Sequence, residues 1–127
     1  MIKAFDEILA ELRLDPAASH EGQDWWRFQY EGVSVQGGVH SSDFRLLCSL
    51  CELRSNVDLD AVYDSLAASN TKLPAGSVAR FIESDNYLYA QGKLPFAVVT
   101  KDALKTLLLD CVALSKSDLA SSLRLKY

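Results

Sequence analysis

The chain has 127 residues, a formal net charge of −4 and 49% hydrophobic residues. A chain of this length buries roughly two thirds of its unfolded surface, so it needs neither metal ions nor disulfides to hold a core. We therefore predict a single domain over residues 1–127, with no cofactor.

The cysteine count and the hydropathy pattern bear on the compartment. The three cysteines are an odd number, and no secretory signal peptide is recognisable, which favours a reducing cytosol. No apolar run approaches the roughly 20 residues that a membrane span requires. The first predicted helix carries Asp6, Glu7 and Glu11, which a targeting peptide avoids. We expect a cytoplasmic protein that does not bind membranes.

Charge is distributed unevenly along the chain. Residues 1–64 hold twelve acids and five bases, whereas residues 65–127 hold five acids and eight bases. The acidic half repels phosphates, and no basic cluster interleaved with aromatics supplies the attraction that nucleic-acid binding needs. We predict no nucleic-acid partner. The acidic surface is either a solvated face or a surface that steers basic partners.

The first helix is predicted over 2–13, because five apolar residues recur at three- and four-residue spacing. They are Ile2, Phe5, Ile8, Leu9 and Leu12. Asp15-Pro16 is expected to stop this helix. From Trp25 the period changes to two, and Glu31-Gly32 supplies a turn into a second strand over 33–40. A third run over 44–53 is apolar on both parities, which predicts a central strand partly covered on both faces.

The second half of the chain predicts two helices that enclose a hairpin. Asn56 or Asp58 caps a helix whose apolar stripe is Leu59, Val62, Tyr63 and Leu66. Strands over 78–82 and 87–94 flank Ser84-Asp85-Asn86, a cluster typical of hairpin turns.

Thr100 is the predicted cap of the last helix. Its apolar stripe is Ala103, Leu104, Leu107, Leu108, Cys111 and Leu114. Residues 115–122 are predicted to be a weaker continuation or a frayed end. The fold class is therefore α+β, with an antiparallel sheet of about five strands in the order α-β-β-β-α-β-β-α.

Metal and redox motifs are few and have simpler structural explanations. Cys48 and Cys51 have the spacing of a zinc or redox pair, but their parities differ, so they face opposite sides unless a bulge intervenes. Zinc needs four ligands, and His20, His40 and Cys111 lack compact spacing. We interpret the pair as packing, with a redox pair as the alternative, and we predict no metal site.

No pattern in the chain predicts catalysis. The acids Asp58, Asp60 and Asp64 lie at a helix start, where capping and the helix dipole account for them. The histidines have no recognisable nucleophile in context. Gly37-Gly38 lacks the setting of a phosphate loop and is interpreted as a bulge or turn. The chain is predicted not to be an enzyme.

Aromatic residues give the binding signals. Trp25 and Trp26 are adjacent in a strand and face opposite sides, so one is expected in the core and the other exposed or covered by a partner. Tyr87 and Tyr89 share a face opposite Leu88, which places the tyrosines on the outer face of the sheet if the leucines pack on helices. Rigid aromatic rings there suit a dimer or a peptide partner, whereas a second core layer is the alternative. The predicted partner contacts are Trp25, Val78, Phe81, Tyr87 and Tyr89.

Three short segments carry a family resemblance. They are the helix end at 69–74, the hairpin segments 78–82 and 87–93, and Leu94-Pro95-Phe96 before the last helix. Together with the order of elements over nearly the whole chain, they resemble the class I type III secretion chaperone (Tir/CesT-like) fold and the related YbjN-like family.

The resemblance implies a non-catalytic, often homodimeric protein that binds an extended stretch of another polypeptide, such as a secreted effector. Partner segments are then expected along exposed strand edges and on apolar patches. The alternatives are a domain that binds a small ligand between sheet and helices, and a regulatory subunit of a larger assembly.

Overall fold

The computed structural model describes residues 2–127, which form a five-stranded antiparallel sheet and five α-helices. The strand order is β1-β2-β3-β5-β4. The elements are α1 (Ile2–Glu11), α2 (Pro16–Ser19), β1 (Trp25–Tyr30), β2 (Val33–Val39), β3 (Asp43–Glu52), α3 (Leu59–Thr71), β4 (Ala79–Ser84), β5 (Tyr87–Pro95), α4 (Lys101–Ser115) and α5 (Asp118–Lys126), with a 3-10 turn at Phe96–Val98. The predicted α+β class and order are confirmed, and two short helices are added to them.

Both added helices begin at residues that the sequence analysis interpreted as stops or fraying. The Asp15 carboxylate accepts a hydrogen bond from the Ala17 amide, and Pro16 occupies the first position of α2, where a missing N–H costs nothing. Ser117 caps α5 by accepting from the Ala120 amide. The prediction of a frayed continuation over 115–122 is therefore wrong, because α4 ends at Ser115 and a new helix starts.

Two-residue turns close both hairpins. Glu31 and Gly32 join β1 to β2 with φ values of 50° and 79°, and Asp85 and Asn86 join β4 to β5 with φ values of 50° and 70°. Two successive left-handed residues match the twist of paired strands, which fixes the register on either side. The predicted hairpin turn is confirmed.

Strand β3 lies at the centre of the sheet, as predicted. Its inward residues Phe44, Leu46 and Cys48 are fully buried, whereas outward Arg45 and Leu47 are only half-buried. Helices α1 and α4 cover the inner face, and within residues 2–127 no helix forms a layer over the outward side chains. The expected coverage of both faces is thus wrong for this strand.

The core fills the space between the sheet and its helices. Ring centroids of Phe5 on α1 lie 4.9 Å from Trp26 and 5.0 Å from Phe44. The largest fully buried side chains are Trp26, Phe5, Phe44, Phe81, Ile8, Leu9, Leu46, Leu88, Leu104, Leu107, Leu108 and Val35. Each such side chain contributes about 1.5–3 kcal/mol on burial, so this layer dominates stability.

Helix α4 packs closely on β5 because Gly92 has no side chain. A Cβ at Gly92 would lie 2.5 Å from both Cys111 Sγ and Leu107 Cδ1. Gly37 is similarly confined, since a Cβ there would lie 2.1 Å from the Arg45 carbonyl oxygen. Gly37 pairs regularly with Leu46, so its interpretation as a bulge or turn is wrong, and it serves a close backbone approach instead.

Helix α3 buries only half of its predicted stripe. Asp58 is the cap, since its carboxylate accepts from two amides of the first turn. Val62 and Leu66 are buried, but Leu59 and Tyr63 are 43% and 49% exposed. The helix therefore presents an apolar pair to solvent.

Candidate protein-binding surface

The side of the sheet away from α1 and α4, called the outer face below, is open. Antiparallel pairing places directly opposed residues on the same face, so the register defines its members. They are Trp25, Arg27, Gln29, Ser34, Gln36, Asp43, Arg45, Leu47, Ser49, Glu52, Arg80, Ile82, Ser84, Tyr87, Tyr89, Gln91 and Lys93. A five-stranded sheet with one open face has room for a second layer.

Tyr87 and Tyr89 lie together on the outer face, and their ring centroids are 6.2 Å apart with planes inclined by 30°. Tyr87 is 38% exposed and Tyr89 is half-buried. The rings form one wall of a groove of about 720 Å³ that runs past Ser49 to Arg27. Burial, followed by the neighbouring Tyr87, raises the pKa of Tyr89, so the Tyr89 hydroxyl remains a neutral donor near pH 7.

The adjacent tryptophans divide between the faces. Trp26 is fully buried, and its indole Nε1 donates to the Asp6 carboxylate at 2.8 Å. Trp25 is half-buried, and its ring lies 5.9 Å from the His40 ring. Trp26 therefore lies in the core, and Trp25 lies at the margin of the outer face.

The two hairpin residues predicted as contacts behave differently. Phe81 is only 2% exposed and faces the core, so its side chain is not available to a partner. The outward residues of β4 are instead Arg80 and Ile82, because Ile82 pairs with Tyr89. Val78 precedes the strand and is 37% exposed, away from the tyrosines.

The β4 edge of the sheet is blocked by Asn70 on α3. The Phe81 amide donates to Asn70 Oδ1 at 2.8 Å, and Asn70 Nδ2 donates to the Phe81 carbonyl at 3.0 Å. Tyr63 on the same helix donates its hydroxyl to Glu83, so α3 lies along this edge. A segment cannot add along the edge while α3 is held there.

The β1 edge is only partly covered. The Trp25 carbonyl accepts from the Glu21 amide at 2.9 Å, which closes the beginning of the strand. Tyr30 pairs with Val33 across a two-residue turn, so Arg27 and Gln29 point their backbone groups away from β2. The isolated antiparallel bridge between His20 and Trp26 also brings the preceding segment alongside Arg27. Within residues 2–127, no backbone group pairs with Gln29 across this edge, so the edge is open to an extended segment there.

A cationic cluster lies at the end of the outer face opposite the tyrosines. Arg45 and Lys93 are directly opposed in the register, and Arg80 lies diagonally to Lys93 on the next strand. The Arg45 guanidinium donates to both oxygens of Asp43, at 2.6 and 3.2 Å, and lowers the pKa of that carboxyl. Arg80 and Lys93 make no ion pair with a described residue.

A bulge in β3 decides the geometry of the cysteine pair, and it is the exception under which the two side chains were expected to share a face. The register shifts between Ser49 and Cys51, so Cys51 pairs with inward-facing Leu88 and lies on the same face as Cys48. All three cysteines are free thiols, and Cys48 and Cys111 are buried. Hydrogen bonding of the Cys111 thiol to Cys48, followed by burial, raises the pKa of Cys111, which keeps it an unreactive thiol.

His20 belongs to a structural cluster. Its Nδ1 lies 2.8 Å from the Gly22 carbonyl and its Nε2 lies 2.9 Å from the Asp6 carboxylate, which also accepts from Trp26. These two hydrogen bonds, the first to Gly22, raise the pKa of His20. No nucleophile lies in this cluster. The part of the chain that the structure describes also contains no group of three side chains able to hold a metal ion.

No helix within residues 2–127 has the length and apolar character needed to cross a bilayer.

Solved structures provide the informative comparison for this fold. No protein-family model matches the chain, and a search of curated proteins finds no match. One similar chain comes from the heterodimeric ExoU–SpcU complex of the Pseudomonas aeruginosa type III secretion system. It has a TM-score of 0.58 and 19% identity, and the alignment covers 84% of this chain and 87% of that one.

A second similar chain comes from the HopA1–SchA chaperone–effector complex. It has a TM-score of 0.63 and 8% identity, with coverage of 90% of this chain and 88% of that one. At these identities the likeness concerns the fold. The chain thus shares the fold of these two chains, and the predicted resemblance to the secretion-chaperone fold is confirmed, whereas its YbjN-like part stays a prediction.

Proposed function

We propose that this protein is a non-catalytic binding domain that holds an extended segment of another polypeptide against the outer face of its sheet. The observation that carries the proposal is the open outer face, on which stacked Tyr87 and Tyr89 line a long groove. Rigid rings with few rotatable bonds bury much area at low entropic cost, which suits them to partner contact.

The state of the two sheet edges supports an extended partner. Asn70 occupies the β4 edge, whereas Gln29 on β1 presents unpaired backbone groups beside the groove. A segment that pairs with β1 gains main-chain hydrogen bonds there, and its alternate side chains point toward the outer face. Trp25 borders the same region and is proposed as a further contact.

The comparisons support the kind of function. The two similar chains come from complexes described as a secretion-system heterodimer and a chaperone–effector pair. We therefore propose a chaperone-like role, in which the protein keeps its partner segment from aggregating or from folding. We further propose that it acts in the cytoplasm. A YbjN-like role remains part of the proposal only at the level of the shared fold.

The testing experiment is a tagged pull-down from native cells, followed by mass spectrometry. The wild type is compared with the double variant Tyr87→Ser/Tyr89→Ser and with Leu109→Ser/Leu125→Ser, which removes exposed apolar side chains from the helices instead. We expect one dominant polypeptide with the wild type and the helix variant, and its loss with the tyrosine variant. Equal capture by all three would contradict the outer-face assignment.

A backbone variant tests the β1 edge separately. Gln29→Pro removes an amide that points away from β2, so no backbone hydrogen bond of the sheet is lost, and the exposed side-chain bond from Gln29 Nε2 to Ser34 Oγ is removed with it. We expect weaker capture of the same polypeptide with the fold retained by circular dichroism. Full capture by this variant would show that the partner does not pair with β1.

We also propose a homodimer, formed through α3. Leu59 and Tyr63 lie one turn apart and are both about half exposed, so a two-fold axis beside them would bury four apolar side chains. Light scattering on Leu59→Asp/Tyr63→Asp should give a monomer. The control Leu125→Asp, at an 87% exposed leucine on α5, should leave the mass unchanged. A monomeric wild type would overturn the homodimer without affecting the partner assignment.

The alternative of a small ligand between sheet and helices has little support. That space is filled by fully buried side chains such as Trp26, Phe44 and Leu107. The candidate binding feature is instead a groove on the open surface of the sheet. This geometry favours a polypeptide over a metabolite.

A further inference from the structure

The outer face differs in charge from the remainder of the molecule. Its side chains include four bases and two acids, a balance of +2, within a chain whose net charge is −4. The remaining residues therefore carry −6. The bases are Arg27, Arg45, Arg80 and Lys93, and the acids are Asp43 and Glu52.

Three of the four basic side chains are neighbours on the outer face, and the acidic side chains beside them do not neutralise their charge. Arg45 faces Lys93 directly across the β3–β5 pair, and Arg80 lies diagonally to Lys93, about 7–8 Å away for such positions. Like charges directly opposed across a sheet are destabilising. Asp43 compensates one charge and already has both carboxylate oxygens engaged by Arg45.

The outer face is therefore polarised along β5. Its tyrosine end, near the turn, carries Asp85 and the rings of Tyr87 and Tyr89. Its other end carries Lys93 with Arg45 and Arg80 around it. Lys93 lies four positions after Tyr89 on the same strand, a distance of about 13 Å.

We infer that the outer face selects an acidic polypeptide segment, oriented with apolar side chains against the tyrosines and carboxylates against Lys93, Arg45 and Arg80. This inference rests on the proposed binding to the outer face rather than on pairing with β1, which lies three strands from β5, and it adds the chemistry and direction of the partner. An extended segment presents every second side chain to the sheet, so an apolar residue and an acid four positions apart reach both ends. The −6 balance of the remaining surface disfavours a longer polyanion such as a nucleic acid.

The test uses two peptides of about ten residues, enough to follow β5 along its length. Both carry the same apolar residues at one end, and at the other they carry three glutamates or three glutamines. Calorimetry at low salt should show the glutamate peptide binding about fivefold to tenfold more tightly. Raising the salt to about 0.5 M should remove most of the difference.

Matched variants locate the preference. Arg80→Gln/Lys93→Gln should reduce the preference for glutamate to less than about twofold, with the affinity for the glutamine peptide unchanged. Lys3→Gln, an exposed α1 lysine that makes no ion pair with a described residue, should leave the preference intact. Tyr87→Ser/Tyr89→Ser should weaken both peptides equally.

The outcomes separate the two proposals. Equal binding of the two peptides by the wild type overturns the acidic preference and leaves the outer face as a binding surface. A preference unaffected by Arg80→Gln/Lys93→Gln also overturns it. Binding of neither peptide overturns both proposals together. Tighter binding of a single-stranded oligothymidine than of the glutamate peptide would replace the acidic polypeptide with a nucleic acid.

Discussion

The two faces of the sheet differ in packing, since the inner face is covered closely by helices and the outer face is open. The inner face is packed so closely that Gly92 has no room for a Cβ beside Leu107 and Cys111. On the outer face the neighbouring residue Gln91 lies half-exposed in an open layer. Alternation along one strand thus assigns stability to one set of residues and contact with partners to the other, and substitutions at adjacent positions test this division.

The adjacent tryptophans provide the largest expected contrast. Trp26→Ala removes a fully buried ring and leaves Asp6 without its indole donor, and we expect the free energy of unfolding to fall by about 3–5 kcal/mol. Trp25→Ala removes a half-buried ring at the margin and should lower it by about 1 kcal/mol. Urea denaturation measures both, and equal losses would argue against the assignment of the two faces.

Gly92 and Gln91 give a smaller contrast of the same kind. Gly92→Ala forces the side chains of Leu107 and Cys111 to shift, and we expect a loss of about 1–3 kcal/mol. Gln91→Ala should change the free energy of unfolding by less than about 0.5 kcal/mol. A tolerated alanine at 92 would mean that α4 has more freedom over β5 than the contacts indicate.

Asn70 gives a prediction for the β4 edge of the sheet rather than for either face. In Asn70→Asp the carboxylate still accepts from the Phe81 amide but no longer donates to its carbonyl, and a loss of about 1–2 kcal/mol is expected. The exposed edge should also raise the aggregation rate, measured by light scattering at constant temperature. Thr71→Ala, which removes a hydroxyl that bonds only to Ala68 within α3, serves as the control and should aggregate no faster.

The smallest effect concerns pH and the cluster around His20. Both ring nitrogens face acceptors, so folding favours the protonated imidazole and raises the pKa of His20 above its ordinary value of about 6.5. The stabilisation is complete below the unfolded pKa and is lost as pH rises through the folded pKa. Between about pH 6 and pH 8 the free energy of unfolding should decline in the wild type, and less in His20→Gln. An identical decline in the variant would assign the pH dependence to other groups.

Local periodicity was enough to predict the order of elements and the faces of most side chains. Alternation correctly separated Trp26 from Trp25 and placed Tyr87 and Tyr89 outward. The same parity rule excludes Phe81 from the outer face, since it lies an odd number of positions from Ile82, which pairs with Tyr89. The prediction of Phe81 as a partner contact is therefore wrong, and strand alternation in the sequence was enough to exclude it.

The features that sequence did not reveal depend on contacts between distant residues. The sequence around Asn70 gives no sign of its role, because its amide bonds to Phe81 only once α3 packs beside β4. Arg45 and Lys93 are 48 positions apart, and only the β3–β5 register brings them face to face. A single extra residue at the bulge after Ser49 likewise reverses the face of Cys51, and no local pattern announces it.

The unequal edges of the sheet limit how copies of this protein can associate. Endless strand-to-strand growth needs two accepting edges on every molecule, because each added copy must offer a new edge to the next. Here Asn70 closes one edge, so each molecule has a valence of one for strand addition. Two copies meeting at β1 would therefore form a closed pair and stop. The same single vacancy makes a second copy and an extended partner competitors for one position.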